Sequence, residues 1–244
     1  MELEKNIRIR NYETDLNGNC SLPVIADLFQ GAAEEHASEL GFGYKDMLSG
    51  RNAWVLSRML IKIDSFPRVD QDIILKTWPK RIHRLFALRD YRLDTETMPL
   101  VAATSAWIVI NMDTRRPVKP DSALSDFSSY RNMDAIEELP AKIIPPEAAT
   151  LNDRRRVRYT DIDINNHMNN AHYVRWALDI FPENIFKNKK VKSFLINFTS
   201  ELVFDDEVEL KAAETAPDKW TVWGTIGETM AFASEITWGQ HDCQ

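Results

Sequence analysis

The sequence predicts an α+β fold in which one unit occurs twice, each copy being a long helix wrapped by an antiparallel sheet. Two observations predict it. Residues 15–21 (DLNGNCS) align with residues 163–169 (DINNHMN) at an offset of 148 residues, from 15 to 163. Each aligned segment is followed by one helical pattern and then by several strand-like stretches, and a sheet curved around a single apolar helix buries both. This arrangement is a tandem, or double, hotdog fold.

Two further similarities occur in the same order in both halves. Arg10 aligns with Arg158 at the same offset of 148 residues. The tripeptide Glu-Thr-Met also occurs late in each half, at residues 96–98 and 228–230, and a tryptophan follows each. Similarities that keep their order indicate that the unit was duplicated.

The helix of the first copy is predicted from Leu22 to Leu40. Ser21 can cap it, Pro23 is tolerated in its first turn, and its apolar residues recur at helical spacing until glycines end it. Strands are predicted after it, at Trp54–Ile63, Ile73–Trp78, Leu85–Leu93 and Val101–Asn111.

The second copy has the same predicted order. Asn169 or Asn170 can cap a helix that runs through Tyr173 and Trp176 and is closed by Pro182. Strands are predicted at Val191–Phe204, Glu207–Ala213, Trp220–Ile226 and Ala231–Trp238. The first of these places Glu201 on a strand.

A proline-containing stretch separates the two copies. Residues 134–153 include Pro140, Pro145 and Pro146, which remove backbone donors and favour extended conformations. We therefore predict an N-terminal hotdog at residues 1–133, a linker at residues 134–153 and a C-terminal hotdog at residues 154–244.

Composition excludes several classes of protein. The formal net charge of −7 disfavours a nucleic-acid binder, because phosphate contacts need concentrated lysine and arginine. No apolar run approaches the roughly 20 residues that a membrane span needs, and the charged N-terminus does not resemble a targeting peptide. With only two cysteines, Cys20 and Cys243, a disulfide framework is not expected, and the cytoplasm is the expected compartment.

The polar segment before the second helix is the candidate catalytic site. Asp163, Asn165 and His167 precede the helix N-terminus, whose free N–H groups can stabilise the oxyanion of an attacked carbonyl. An imidazole, an amide and a carboxylate could converge there on one substrate. The alternative is that these residues only form caps and turns.

A metal site is not expected in this segment. The D-x-D-x-N pattern resembles a calcium loop, but Asn166 stands where that loop needs glycine, and His172 stands where it needs glutamate. Zinc would need a second histidine or cysteine at ligand spacing from His167. His36 and His83 are expected to be core or surface histidines rather than site residues.

The first copy is expected to be catalytically silent. Its segment keeps Asp15 and Asn17, but Asn19 stands at the position of His167, so the copy lacks a titratable base there. A silent copy can still hold substrate.

Basic residues are clustered although the chain is acidic. Arg154, Arg155, Arg156 and Arg158 form one cluster; the other comprises Arg115, Arg116 and Lys119. They are either a solvated strand end and loop or a docking patch for an acidic partner.

Several segments between about Arg10 and Trp238 carry a resemblance to a known family. They are DIDINNHMNNAHYVRWALDIFP, WVLSRMLIKIDSFPRVDQDIILKTWP, Arg89-Asp90 and SAWIVINMDTRRPVK. With these segments the chain resembles the acyl-ACP thioesterases of plant chloroplasts and bacteria. The resemblance implies a double hotdog that hydrolyses long-chain acyl groups from acyl carrier protein (ACP) without metal or organic cofactor, and an acyl chain held in the first half. Because no plastid-targeting extension precedes the resemblance, a bacterial cytoplasmic enzyme is expected.

The resemblance also implies the catalytic residues. The family's catalytic Asp, Asn and His fall on Asp163, Asn165 and His167, and its Glu falls on Glu201 in FTSELVF. A cysteine that follows this glutamate in plant relatives is Leu202 here, which excludes a Cys-His mechanism.

Several alternatives stay open. The alternative functions are an acyl-CoA thioesterase and a non-catalytic acyl-binding or sensing module. Glu201 with His167 would activate water, or Asp163 would act as a carboxylate nucleophile. The chain is expected to be a monomer or a homodimer, and the sequence does not define its chain-length preference.

Overall fold

The computed structural model describes residues 2–120 and 134–240. The chain divides into two compact units, Met1–Pro140 and Ala141–Gln244. The division falls inside the stretch predicted as a linker.

In the described residues, the first unit consists of an antiparallel sheet and a long helix. Its five main strands lie in the order β1-β3-β4-β5-β2, and a short β6 pairs with β5. The elements in chain order are β1 (Leu3–Arg8), α1 (Leu22–Glu39), α2 (Tyr44–Ser49), β2 (Asn52–Ile63), β3 (Asp72–His83), β4 (Phe86–Asp94), β5 (Pro99–Asn111) and β6 (Pro117–Val118).

Helix α1 buries one apolar stripe against this sheet. The stripe follows the predicted spacing, and Ser21 occupies the N-cap position with Pro23 in the first turn. Phe29 of α1 contacts Tyr91 of β4, with ring centroids 4.8 Å apart, and both side chains are fully buried. Burying large aromatic side chains is a main source of core stability.

The second unit repeats the arrangement. Its strands lie in the order β8-β11-β10-β9-β7, all antiparallel. The elements are β7 (Leu151–Arg156), α3 (Asn170–Asp179), α4 (Glu183–Asn188), β8 (Lys189–Phe198), β9 (Glu207–Ala216), β10 (Lys219–Ile226) and β11 (Thr229–Gln240). Tyr173 of α3 contacts the rings of Phe198 and Phe232 at centroid distances of 5.4 and 5.5 Å. The predicted double hotdog is confirmed.

The predicted end of one strand was wrong. The strand expected at Val191–Phe204 stops at Phe198, so Glu201 lies in the loop between β8 and β9. The N–H groups of Thr199 and Ser200 both donate to the carbonyl oxygen of Ala231, at 2.9 and 3.0 Å. Two successive donors on one acceptor end the regular ladder, because each ladder carbonyl normally serves one partner N–H.

Strand β3 extends beyond its predicted end. It was expected to stop at Trp78 but continues to His83. The pairing with β4 shifts between Pro79 and Arg81, which indicates a β-bulge. Pro79 has no N–H to donate to the ladder, and the bulge lets the strand continue past it.

His36 is a core histidine, as expected. Its side chain lies on the buried face of α1, and its Nδ1 is 3.0 Å from Nη1 of the buried Arg89. Burial and the neighbouring guanidinium lower the pKa of His36 from 6.5 to about 4. The imidazole is therefore neutral at neutral pH and accepts the Arg89 hydrogen bond.

This burial predicts acid destabilisation of the first unit. Between pH 6.5 and 4 the unfolded chain binds a proton at His36 that the folded chain does not. The free energy of unfolding should be highest above pH 6.5 and fall by up to about 3 kcal/mol as the pH drops to 4. Urea unfolding across this range measures the effect. His36→Gln should flatten this part of the profile, and His83→Gln, at an exposed site, should not.

Candidate active site

The segment that carries the predicted site residues is a tight, hydrogen-bonded loop. The N–H of Asp163 donates to the carbonyl oxygen of His167 at 2.9 Å, and the N–H of Asn166 donates to that of Asp163 at 3.1 Å. Asn166 has a φ of 61°, a left-handed conformation that asparagine tolerates better than most residues. The loop thus folds Asp163 and His167 back towards each other.

A backbone hydrogen bond holds a second loop, which carries Glu201, beside the first. The N–H of Met168 donates to the carbonyl oxygen of Leu202 at 2.8 Å. Each of these residues directly follows a predicted site residue, so the bond brings His167 next to Glu201.

His167 and Glu201 form a side-chain pair. Nε2 of His167 lies 3.3 Å from Oε2 of Glu201. The two side chains are 31% and 36% exposed, so solvent can reach both. A carboxylate and an imidazole in contact can take a proton from water and pass it on, and such contacts are often long before substrate binds.

Asp163 and Asn165 form a second pair. Oδ1 of Asp163 accepts the backbone N–H of Asn165 at 2.8 Å, and Oδ2 lies 3.5 Å from the side-chain nitrogen of Asn165. The carboxylate therefore holds the orientation of the Asn165 amide. The structure places the four predicted residues as two pairs on adjoining loops.

Two N–H groups at the N-terminus of α3, where we expected oxyanion donors, are engaged within the helix cap. Asn169 caps the helix, and its Oδ1 accepts the N–H of Ala171 at 2.8 Å. The N–H of His172 donates to the carbonyl oxygen of Asn169 at 3.0 Å. These two donors are engaged, because the cap that starts the helix uses them.

Tyr173 is a site residue that the sequence analysis did not identify. Its hydroxyl accepts the N–H of Leu202 at 3.0 Å and donates to the carbonyl oxygen of Ser200 at 3.4 Å. It thus clamps the backbone on both sides of Glu201. Nothing in the sequence indicated this role, because Tyr173 is 29 residues from Leu202 and fits the apolar helix pattern.

The environment keeps the Tyr173 hydroxyl protonated. Burial raises the pKa of Tyr173 well above its ordinary value, and the carboxylates of Glu201, Asp206 and Asp163 raise it further, while the Leu202 N–H opposes them. A protonated hydroxyl can both donate and accept, as the clamp requires.

Replacing Tyr173 by phenylalanine should loosen the Glu201 loop. The buried Leu202 N–H would lose its acceptor, which costs about 1–3 kcal/mol. Urea unfolding should show that loss, and kcat should fall as well because Glu201 is less well held. Tyr12→Phe, at an 82% exposed tyrosine of the first unit, is the matched control. Unchanged stability and kcat in Tyr173→Phe would contradict the clamp.

The first copy builds the same loop. The N–H of Asp15 donates to the carbonyl oxygen of Asn19 at 2.8 Å, and the N–H of Gly18 donates to that of Asp15 at 3.0 Å. The N–H of Cys20 donates to the carbonyl oxygen of Pro67 at 2.7 Å, as Met168 does to Leu202. The duplicated sequence therefore folds into duplicated backbone geometry.

This equivalence identifies which residues of the first copy stand at the positions of His167 and Glu201. Since Pro67 matches Leu202, Phe66 occupies the position of Glu201, and Asn19 occupies that of His167. Nη1 of Arg68 donates to Oδ1 of Asn19 at 3.3 Å. This loop pair carries neither carboxylate nor imidazole at the two positions, which supports the prediction that the first copy is silent.

No helix within residues 2–120 and 134–240 has the length and apolar character to span a bilayer. Within the same residues, no group of three or more histidine, cysteine, aspartate and glutamate side chains is arranged to hold a metal ion.

Two family models match nearly all of the chain. The acyl-ACP thioesterase N-terminal domain matches residues 2–125, and the acyl-ACP thioesterase C-terminal domain matches residues 145–242. Among similar proteins, oleoyl-acyl carrier protein thioesterase 2 of Arabidopsis thaliana is 27% identical over 253 residues, covering 93% of this chain and 67% of the relative. The palmitoyl-acyl carrier protein thioesterase of the same plant is 27% identical over 228 residues, covering 88% and 55%.

Solved structures share the fold along the whole chain. An acyl-ACP thioesterase from Bacteroides thetaiotaomicron superposes with a TM-score of 0.88 at 24% identity and covers 98% of both chains. The 12:0-ACP thioesterase from Umbellularia californica also has a TM-score of 0.88, at 20% identity and 98% coverage of both chains.

Proposed function

Because the chain belongs to the acyl-ACP thioesterase family, we propose that it hydrolyses long-chain acyl-ACP to a free fatty acid and holo-ACP at the His167–Glu201 pair. The observation that carries the assignment to this pair is the 3.3 Å contact between an imidazole and a carboxylate from loops 34 residues apart, both open to solvent. No cofactor is needed for this chemistry, since water is the second reactant.

Glu201 is the general base in this proposal. It takes a proton from a water molecule, whose oxygen forms a bond to the thioester carbon while the carbonyl electrons move to oxygen. When the intermediate collapses, the carbon–sulfur bond breaks and the proton passes to the leaving thiolate. His167 positions Glu201 and relays this proton.

Asp163 and Asn165 act together to stabilise the carbonyl oxygen of the thioester. Asp163 orients the Asn165 amide through the contacts at 2.8 and 3.5 Å. The other N–H of that amide is then the donor that stabilises the developing oxyanion, a role that the engaged N–H groups of Ala171 and His172 do not fill. Since both Asp163 oxygens are occupied by Asn165, direct attack by water is favoured over an acyl-Asp intermediate.

Acyl-ACP substrates of several chain lengths, with the matched acyl-CoA series, test the function. Release of fatty acid with a higher kcat/KM on ACP than on CoA supports it, and absence of hydrolysis on every substrate would refute it. A single turnover in 18O water separates the two routes. Label found in the Asp163 side chain would require the covalent intermediate.

We also propose a bacterial cytoplasm as the compartment. A reducing compartment suits the buried Cys20, which is a free thiol whose pKa burial raises to about 12. Cell fractionation with an epitope tag tests the location.

A further inference from the structure

Large apolar side chains are exposed on both loops that carry the proposed catalytic pair. Tyr159 and Ile164, on the loop of His167, are 84% and 86% exposed, and Phe204, on the loop of Glu201, is 60% exposed. Single exposed apolar residues are ordinary, but several on the two loops of one site mark a contact surface.

The arginine cluster of the sequence is largely neutralised within its own unit. Arg154 pairs with Glu209 and Arg155 with Asp153, at 3.2 and 2.8 Å. Arg156 pairs with Asp205 and Glu207. These three arginines therefore offer little net charge to a partner, and Arg158 is the member of this cluster that remains for a docking patch.

Two exposed arginines keep their charge beside the site. In the part of the chain that the structure describes, no carboxylate lies within ion-pair distance of Arg158 or Arg175. Two contacts between α3 and the segment before the site lie on either side of these arginines. His172 and Asp161 approach to 2.9 Å, and Asp179 and Arg155 approach to 3.8 Å.

These two contacts align α3 with the chain that precedes the site. Residues 172 and 179 of the helix face residues 161 and 155, so the helix and the preceding segment run in opposite directions. Arg175 and Arg158 lie between the two contacts along their segments, and both side chains are exposed.

The silent copy differs in charge at this surface. The helix N-caps, Ser21 and Asn169, show that the helices align at the offset of 148 residues. Arg175 therefore corresponds to Asp27, which is also exposed. At this helix position a cation is present in the second copy alone, whereas Arg158 has a counterpart in the first copy, Arg10.

We propose that Arg158, Arg175, Tyr159, Ile164 and Phe204 form the docking surface for the carrier protein, which would present acidic and apolar side chains to it. This inference rests on the proposed function. The exposed cations steer an acidic partner to the surface, and the apolar side chains supply contact area on the two loops that carry His167 and Glu201.

The test compares two substrates that carry the same acyl group, acyl-ACP and acyl-pantetheine. Arg175→Glu and Phe204→Asp should each lower kcat/KM on acyl-ACP by about tenfold or more, a loss of 1.4 kcal/mol per factor of ten. Turnover of acyl-pantetheine should stay within about twofold, because the small thioester does not use the surface. The effect of Arg175→Glu should shrink at high salt.

The silent copy supplies matched controls. Val69 occupies the position of Phe204, since Asp70 and Asp205 share positive φ values of 62° and 73° and donate to equivalent carbonyl groups. Val69→Asp and Arg10→Glu should leave both substrates unaffected. The proposal is overturned if the variants slow both substrates equally, if they slow neither, or if Val69→Asp acts like Phe204→Asp. Wild-type protein that hydrolyses acyl-pantetheine but not acyl-ACP would instead refute the proposed function.

Discussion

Replacing Glu201 by glutamine should lower kcat for acyl-ACP by about 10²–10⁴-fold, the usual contribution of a general base. Glutamine keeps the size of the side chain and its contact with His167 but cannot accept a proton from water. Glu201 is also the only one of the four proposed residues held by the Tyr173 clamp, through the bonds on either side of it. The Glu201→Gln substitution should affect kcat far more than KM, because a general base acts in the chemical step.

Single-turnover hydrolysis of acyl-ACP measures this effect without interference from product release. Urea unfolding of the variant should match the wild type, because the Glu201 side chain is 36% exposed and glutamine has the same size. Glu209→Gln, on strand β9 with a side chain 47% exposed, is the matched control and should retain full turnover. Near-normal turnover of Glu201→Gln would remove this residue from the mechanism.

Replacing His167 by asparagine should also remove most of the activity, by about 10²–10⁴-fold. This change recreates in the second unit the residue found in the first, where Asn19 occupies the equivalent loop position. The backbone should be unaffected, since the first copy forms the same loop hydrogen bonds with asparagine.

A double variant shows whether the pair acts as a unit. Residues that act together lose their contribution once, so His167→Asn with Glu201→Gln should be about as slow as either single variant. Losses that multiply would contradict the pairing.

The first copy provides the reverse experiment. Asn19→His should not create a second active site, because Phe66 stands where Glu201 would be needed. If Asn19→His increased turnover, the first copy would have to be given a catalytic role.

Much of the fold follows from periodicity and repetition in the sequence. The spacing of Leu22, Ile25 and Phe29 predicts α1 because burying a stripe requires that spacing, and α1 ends within one residue of its predicted limit. The repeat at residues 15 and 163 predicts that both halves share a loop, and the structure shows matching backbone bonds in each. Short elements without clear periodicity, such as α2 and α4, were not predicted.

A local sequence pattern could not predict that Glu201 lies in a loop. Its segment, FTSELVF, looks like the continuation of an apolar strand, but two N–H groups converge on the Ala231 carbonyl and end the strand at Phe198. That acceptor lies on a different strand, so no window of sequence contains both partners. The role of Tyr173 could not be predicted for the same reason, because its partners Ser200 and Leu202 are 27 and 29 residues away.

The sequence by itself determined the duplicated architecture, the polar composition of the loop at residues 163–167 and the absence of a base at Asn19, because these depend on residue identity and spacing along the chain. Only the tertiary structure decided that Glu201 leaves its strand to contact His167, that Tyr173 holds it there, and that three of four clustered arginines are neutralised. Those outcomes depend on hydrogen bonds and ion pairs between segments far apart in the chain, which are set by how the strands and loops pack.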